Sequence, residues 1–316
     1  GKPSFLKAAQ AWYRNTYDVD LDWKTQLFAV EGAVDGLAAL FAVLVSPGDA
    51  VAYADPYYPS YHCMTVMGRA EEILLPSLPE RGFLPDLDAV PADTWDRVKV
   101  LILNYPNNPT GAQAPREFLE RAIELAREHR FAIVQDFAYA GLGVREQQIS
   151  ILSLSGAFDV AVEVCSLSKM YAMAGWRAGF IAGNSDIVSH VKQYHYQMGS
   201  MITGSVQDAG AAALESDQSC VHELAERYAL RRKIVAGGLR ELGLDGFDSD
   251  GGIYAWVHAP EGLNGEQFAD LLLERAAVAA LPGTCFGTVG VDYVRFSLLK
   301  SEDLLREAVR RVGRVL

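Results

Sequence analysis

Ser166-Leu-Ser168-Lys169-Met-Tyr171-Ala-Met-Ala-Gly175-Trp176-Arg177-Ala-Gly179 is the stretch on which the reading of this chain turns. It leaves one apolar run, 161–167, and enters another, 178–183, and both read as short buried strands. A lysine at the exit of a buried strand must be paired, neutralised or turned to water. Taken alone, Lys169 reads as well as a solvated ammonium as it does as a catalytic amine. Its neighbours shift that balance. Two serines stand beside it and Arg177 follows eight residues on, past a glycine turn. Hydroxyls and a guanidinium gathered at strand ends make a cradle for an anion such as phosphate.

Outward from this stretch the same texture repeats. Residues 49–56, 71–78, 99–105 and 131–138 also read as short buried strands, and 33–45, 59–68 and 115–130 carry helical spacing. In the last of these Phe118, Ala122, Leu125 and Ala126 recur at three and four residues, as one buried face requires. Alternation of this kind predicts a mainly parallel sheet covered on both sides, a three-layer αβα domain. Beyond about residue 185 the pattern changes. A long helical stretch is expected over 203–242. A strand at 252–258, a helix at 264–276, strands near 277–281 and 292–298 and a helix at 302–315 follow. The expected division is a large cofactor domain over 19–235 and a smaller α+β C-terminal domain over 236–316, with 1–18 packed near the latter.

Other segments with chemistry in them also end predicted strands, the edge where open parallel sheets bind ligands. They are Asn104-Tyr-Pro-Asn107-Asn108-Pro109-Thr110-Gly111, Asp136-Phe-Ala-Tyr139 and Asp55-Pro56-Tyr57-Tyr58-Pro59. Gly32-Ala33 opens a helix whose backbone N–H groups can add to the phosphate cradle. A partly desolvated lysine beside such a cradle points to a phosphate-bearing cofactor held as a Schiff base, which is pyridoxal 5′-phosphate. Its further needs have candidates. Asp136 suits the pyridine nitrogen, Asn108 and Tyr139 the phenolic oxygen, and Tyr58 the ring face. Each residue also has an ordinary reading as a turn, a cap or a core edge. The ordered set does not.

With these runs quoted, the chain resembles the class I/II pyridoxal-phosphate-dependent aminotransferases of fold type I, the aspartate aminotransferase-like family. Ser46-Pro-Gly-Asp49, Gly252-Ile-Tyr-Ala-Trp256, Leu281-Pro-Gly-Thr-Cys-Phe-Gly287 and Val294-Arg-Phe-Ser-Leu298 extend the likeness almost end to end. The resemblance implies a transfer of an amino group between an L-amino acid and a 2-oxo acid. It implies that Lys169 holds the cofactor and moves the substrate's α-proton, with Asp136 and Tyr139 as its catalytic companions. It also implies that Ser166, Ser168, Arg177 and the backbone of Gly32, Ala33 and Val34 bind the phosphate. Tyr58 would stack on the ring, Arg295 would grip the substrate carboxylate with Asn108 beside it, and a homodimer would share its active sites.

Departures from the family pattern are Met170, Ala172, Phe137 and Val34. The resemblance also leads us to expect about 50 residues ahead of Gly1, roughly a third of a domain, carrying an arm absent here. Because the same cofactor supports elimination, cyclisation or oxidation of an amino acid, those outcomes stand as alternatives. A ligand-sensing regulator domain is a further one.

The chain has 316 residues, half of them apolar, and a net charge of −12. That acidity argues against nucleic acid as a partner. No run approaches the roughly 18 apolar residues of a membrane span. Four scattered cysteines without a C-x-x-C suit free thiols in the cytoplasm and offer no metal site. His190, His195, Tyr194 and Tyr196 are expected at a surface or interface. His62 is expected to be a packed helix residue, with the pocket wall as the other possibility.

Overall fold

The computed structural model describes residues 1–144, 148–198 and 201–316. The chain begins α1 (Pro3–Tyr17), β1 (Leu27–Val30), α2 (Ala33–Leu44), β2 (Ala50–Asp55), α3 (Ser60–Met67) and β3 (Glu71–Pro76). It continues α4 (Ala92–Trp95), β4 (Val98–Leu103), α5 (Arg116–His129), β5 (Ala132–Asp136), α6 (Ala157–Val160), β6 (Ala161–Ser166), α7 (Leu167–Met170) and β7 (Gly179–Gly183). Helices α8 (Ser185–Met198), α9 (Gly204–Leu214), α10 (Ser219–Arg232) and α11 (Gly238–Glu241) lead to β8 (Tyr254–His258), α12 (Gly265–Leu271), β9 (Leu281–Pro282), β10 (Tyr293–Ser297) and α13 (Glu302–Val312).

Seven strands make one sheet in the order β1-β7-β6-β5-β4-β2-β3. β2 to β6 run parallel, while β7 is antiparallel to both of its neighbours, β6 and β1. Successive residues of β6 point to opposite faces, as pleating demands. Val162 and Val164 join a core with Leu37 and Leu40 of α2, while Ala161 and Cys165 join one with Phe5, Ala9 and Trp12 of α1. Both faces are therefore covered, and the apolar strands of the sequence are explained. Edge strand β3 is the exception: only Leu75 in it is buried. It has a neighbour on one side alone, so its charged Glu71 and Glu72 stay near water.

The small domain is an antiparallel sheet, β8-β10-β9, packed with α12 and α13 around Ile253, Phe268, Leu272, Val294 and Leu298. An Asn264 capping box starts α12: the side chain accepts from Gln267 N, and the Gln267 side chain accepts in return from Asn264 N.

Several expectations are corrected here. Residues 203–242 are not one helix. The chain breaks after α9, where Gln218 takes a left-handed conformation with φ of 63°, and after α10 it widens into a π-turn over Lys233–Gly237. The strand expected near 277–281 is only Leu281–Pro282, which pairs with Arg295 and Val294. Segment 1–18 does not pack on the small domain. Phe5, Trp12 and Tyr13 of α1 lie edge-on to Phe180 of β7, so their buried aromatic surface belongs to the large sheet. The boundary expected after residue 235 falls inside the π-turn, and Tyr228, Ile234 and Val235 on that run already sit in the small-domain core.

Candidate active site

A cavity of about 260 Å³ opens where the parallel strands end, and the small domain closes one of its sides. β5 delivers Asp136, β6 delivers Ser166, and the one-turn α7 places Ser168 and Lys169. Ala33 and Val34 enter from the start of α2, Tyr58 from beyond β2, and Asn104 and Asn108 from the loop after β4. Tyr139 and Arg177 complete the large-domain wall; Tyr254 and Arg295 come from β8 and β10. Apart from Gly32, every site residue expected from the sequence lines this one cavity. Gly32 stands behind it as the N-cap of α2, with φ of +85°. A Cβ there would lie 2.5 Å from Arg177 Nη2, so glycine leaves room for the guanidinium.

Asp136 is buried and, among the described residues, forms no ion pair. Tyr61 Oη donates to its Oδ2 at 2.6 Å and Ala138 N to its Oδ1 at 3.2 Å. Burial raises its pKa to about 6, against the pull of those two donors. Asn104 braces the same strand end. Its Nδ2 donates to Asp136 O at 2.9 Å, and its Oδ1 accepts from Asn108 N at 2.8 Å. Tyr139 is pushed well above its ordinary value by burial first, then by Tyr254 and Asp136. Across the cavity Arg295 donates from Nη1 to Asn108 Oδ1 at 2.7 Å. Its guanidinium lies 3.8 Å from the centre of the Tyr254 ring and 4.6 Å from that of Phe286. Burial lowers its pKa, with Tyr254 and Tyr139 opposing, and its Nε is buried without a partner. Among the described residues Arg177 donates to the Glu31 and Ala174 carbonyls, at 3.0 and 3.2 Å. Ser166 Oγ accepts from Ser168 N at 3.2 Å and so caps α7.

The charge balance of this cavity is unequal. Among the described residues no carboxylate forms an ion pair with Lys169, Arg177 or Arg295. Three cationic side chains therefore face one buried carboxylate that holds its proton more readily than usual. A ligand with a phosphate at one end, a carboxylate at the other and a basic ring nitrogen between would complete the set. Pyridoxal phosphate with an amino acid fits on those grounds.

The chain matches the model of the family described as aminotransferase class I and II over residues 1–312. It belongs to that family. It is 40% identical over its full length to an L-glutamine–4-(methylsulfanyl)-2-oxobutanoate aminotransferase of Bacillus subtilis, covering 79% of that protein. It is 39% identical, again over its full length, to an LL-diaminopimelate aminotransferase of Syntrophobacter fumaroxidans, covering 81% of it. Among solved structures, a probable N-succinyldiaminopimelate aminotransferase of Thermus thermophilus superposes with a TM-score of 0.95 at 34% identity, over 99% of this chain and 84% of that one. The aminotransferase described here is thus a pyridoxal-phosphate enzyme that moves an amino group between amino and 2-oxo acids. Elimination, cyclisation, oxidation and ligand sensing are not favoured beside that reading. No helix among the described residues is long and apolar enough to cross a membrane.

Tyr61, Asn104, Ala138, Ala174, Leu37 and Tyr254 are in or behind the site without having been assigned to it. Asn104 and Tyr254 stood in quoted motifs, so their signal was present but carried no role. Two histidine expectations are corrected. His195 is buried against Phe28, ring centres 5.2 Å apart, because its face of α8 turns toward β1. His62 is exposed, neither packed nor in the cavity, and its Nδ1 lies 2.9 Å from Glu72. His190 is exposed as expected, its Nδ1 against Asp186 O.

Proposed function

We propose that this aminotransferase works through the residues gathered around Lys169, with Lys169 Nζ as both the attachment point for pyridoxal phosphate and the base for the substrate. When bound, the cofactor supplies an electron sink for the electron pair left on the substrate's α-carbon. Arg177, Ser166, Ser168 and the N–H groups at Gly32, Ala33 and Val34 hold the phosphate, with the positive end of α2 behind them. Asp136 keeps the ring nitrogen protonated. Its buried carboxyl, without any cation of its own, is ready to be completed by that N–H. Asn108 and Tyr139 donate to the phenolic oxygen, and Tyr58 covers the ring.

Arg295 takes the substrate's α-carboxylate. Stacking on Tyr254 and Phe286 fixes the plane of its fork, and its one donor contact in the site is to the neutral Asn108. Released from the cofactor by the incoming substrate amine, Lys169 Nζ would be free to take the α-proton, a step in which a positioned base is worth about 10²–10⁴-fold. We place the working unit as a homodimer in the cytoplasm. The exposed Val34 and Trp176 beside the cavity suit an interface, and four free cysteines suit a reducing compartment.

The observation that carries this reading is the convergence of Lys169, Asp136 and two unpaired arginines in one cavity. Borohydride reduction of the loaded enzyme followed by peptide mapping is expected to find the cofactor fixed on Lys169. Recovery of the label on another lysine defeats the assignment. Light scattering tests the dimer, which a monomer at working concentration would exclude.

A further inference from the structure

Asp55, the last residue of β2, is 2% exposed and takes no part in the cavity wall. No arginine, lysine or histidine among the described residues forms an ion pair with it. Three donors from the small domain supply what a buried carboxylate needs. Thr288 N and Thr288 Oγ1 donate to its Oδ2 at 3.0 and 2.6 Å, and Val289 N donates to its Oδ1 at 3.2 Å. Two residues further along the strand exit, Tyr57 N donates to Phe286 O at 2.7 Å. A large-domain strand end thus holds the small-domain turn Gly283–Phe286 and the residues that follow it.

The local sequence is shaped to this clasp. Gly287 has φ of +122°, and a Cβ there would come within 2.0 Å of Asp55 Oδ1. Only glycine brings the backbone close enough for Thr288 and Val289 to point their N–H groups at the carboxylate. On the near side of that glycine stands Phe286, buried between Arg295 at 4.6 Å and Trp256 at 5.8 Å. On the Asp55 side, Tyr58 lies three residues past the clasp and lines the cavity. One carboxylate therefore ties together the strand exit that leads to Tyr58 and the turn that presents Phe286.

We propose that Asp55 is a positioning residue for recognition of the substrate carboxylate: by clasping Thr288 and Val289 it holds Phe286 against Arg295 and keeps the guanidinium fork aimed into the cavity. This rests on the reading of Arg295 as the carboxylate site. Without the clasp, the turn is free to carry Phe286 away from the guanidinium. Arg295 then samples orientations that no longer match a carboxylate, and affinity for that one group falls. Attachment of the cofactor to Lys169 is left alone, because Asp55 lies outside the cavity wall and its side chain bonds to Thr288 and Val289, neither of them placed around the cofactor.

The test is a binding ratio on the cofactor-loaded enzyme. 2-Methylalanine has no α-proton and stops at binding. tert-Butylamine has the same skeleton with a methyl in place of the carboxylate. The dissociation constant of tert-butylamine divided by that of 2-methylalanine, read from the cofactor's absorbance, isolates carboxylate recognition. Arg295→Gln is expected to lower the ratio about 100-fold, and Thr288→Val and Asp55→Asn about 3- to 10-fold, the last two with cofactor affinity unchanged. Thr288 is exposed, so its replacement by valine leaves the core intact. Thr288→Ser restores the hydroxyl and is expected to restore the ratio. A wild-type ratio in Thr288→Val, or a lowered one in Thr288→Ser, overturns the clasp. A wild-type ratio in Arg295→Gln overturns instead the reading of Arg295.

Discussion

Two carboxyl groups sit on adjacent strands of the large sheet, both fully buried, and they do different things. Asp136 ends β5 and Glu163 lies in the middle of β6. Burial raises the first to about 6 and the second to about 7. Each is met by a tyrosine hydroxyl at 2.6 Å, Tyr61 for Asp136 and Tyr13 for Glu163. Asp136, however, faces a cavity with three cationic groups. Glu163 is closed in by Tyr13, Ser150 and Cys165, all themselves buried. Burial and a displaced pKa mark both residues equally. What separates a site from a brace is position along the strand: the end of a parallel strand opens onto ligand, while its middle is roofed by a helix.

That contrast is open to attack by mutation. The largest expected effect belongs to the pocket end of β6, where Lys169→Ala should lower kcat by at least about 1000-fold in steady-state assays. A variant within tenfold of wild type would place the chemistry elsewhere. Asp136→Asn should cost about 100- to 1000-fold in kcat/KM, since an amide no longer holds the ring nitrogen charged. Its thermal midpoint should not fall, because the buried charge has been removed.

Glu163→Gln, by contrast, should leave kcat/KM within about threefold and act on stability instead. The sign follows from its raised value. Folded, Glu163 keeps its proton from 4.5 up to about 7, a range in which the unfolded chain has already lost it. Its contribution is full below 4.5 and is lost as pH rises to about 7, a term on the order of 3 kcal/mol at most. Wild-type unfolding midpoints should therefore drop more steeply between pH 5 and 7 than those of the glutamine variant, and parallel curves would refute the point. Smallest is Tyr13→Phe, expected to cost about 1–2 kcal/mol in chemical denaturation with unaltered turnover. A loss of turnover there would erase the distinction between brace and site.

Legibility in the sequence followed the same divide. Residues at parallel strand ends could be read because the apolar run stops, a glycine or proline turn follows, and chemistry appears in the gap. Asp136, Ser166, Lys169 and Arg177 all announce themselves in that way. Partners that arrive from far along the chain leave no periodic trace. Tyr61 reaches Asp136 across 75 residues and Thr288 reaches Asp55 across 233. β1 was not anticipated at all, being four residues long and, among the described residues, paired through β7. The break at Gln218 was equally silent, since a left-handed cap without glycine looks like any polar residue in a helical run. Burial of His195 depended on which face of α8 meets β1, and α8 carries apolar and aromatic residues on more than one face.

The antiparallel strand β7 has a consequence for how the molecule is made. Among the described residues, β1 has hydrogen-bonded strand partners only in Gly179–Ala182, and α1 packs on α9 at Gly204–Leu214. On the ribosome, segment 1–30 must therefore wait until residue 214 has emerged, a delay on the order of ten seconds at ordinary rates of synthesis. During that wait a strand edge and the aromatic face of Phe5, Trp12 and Tyr13 have no native cover. Segment 1–30 cannot reach its native place before α9 is complete, and until then its apolar surface is a client for whatever shields such surface in the cell.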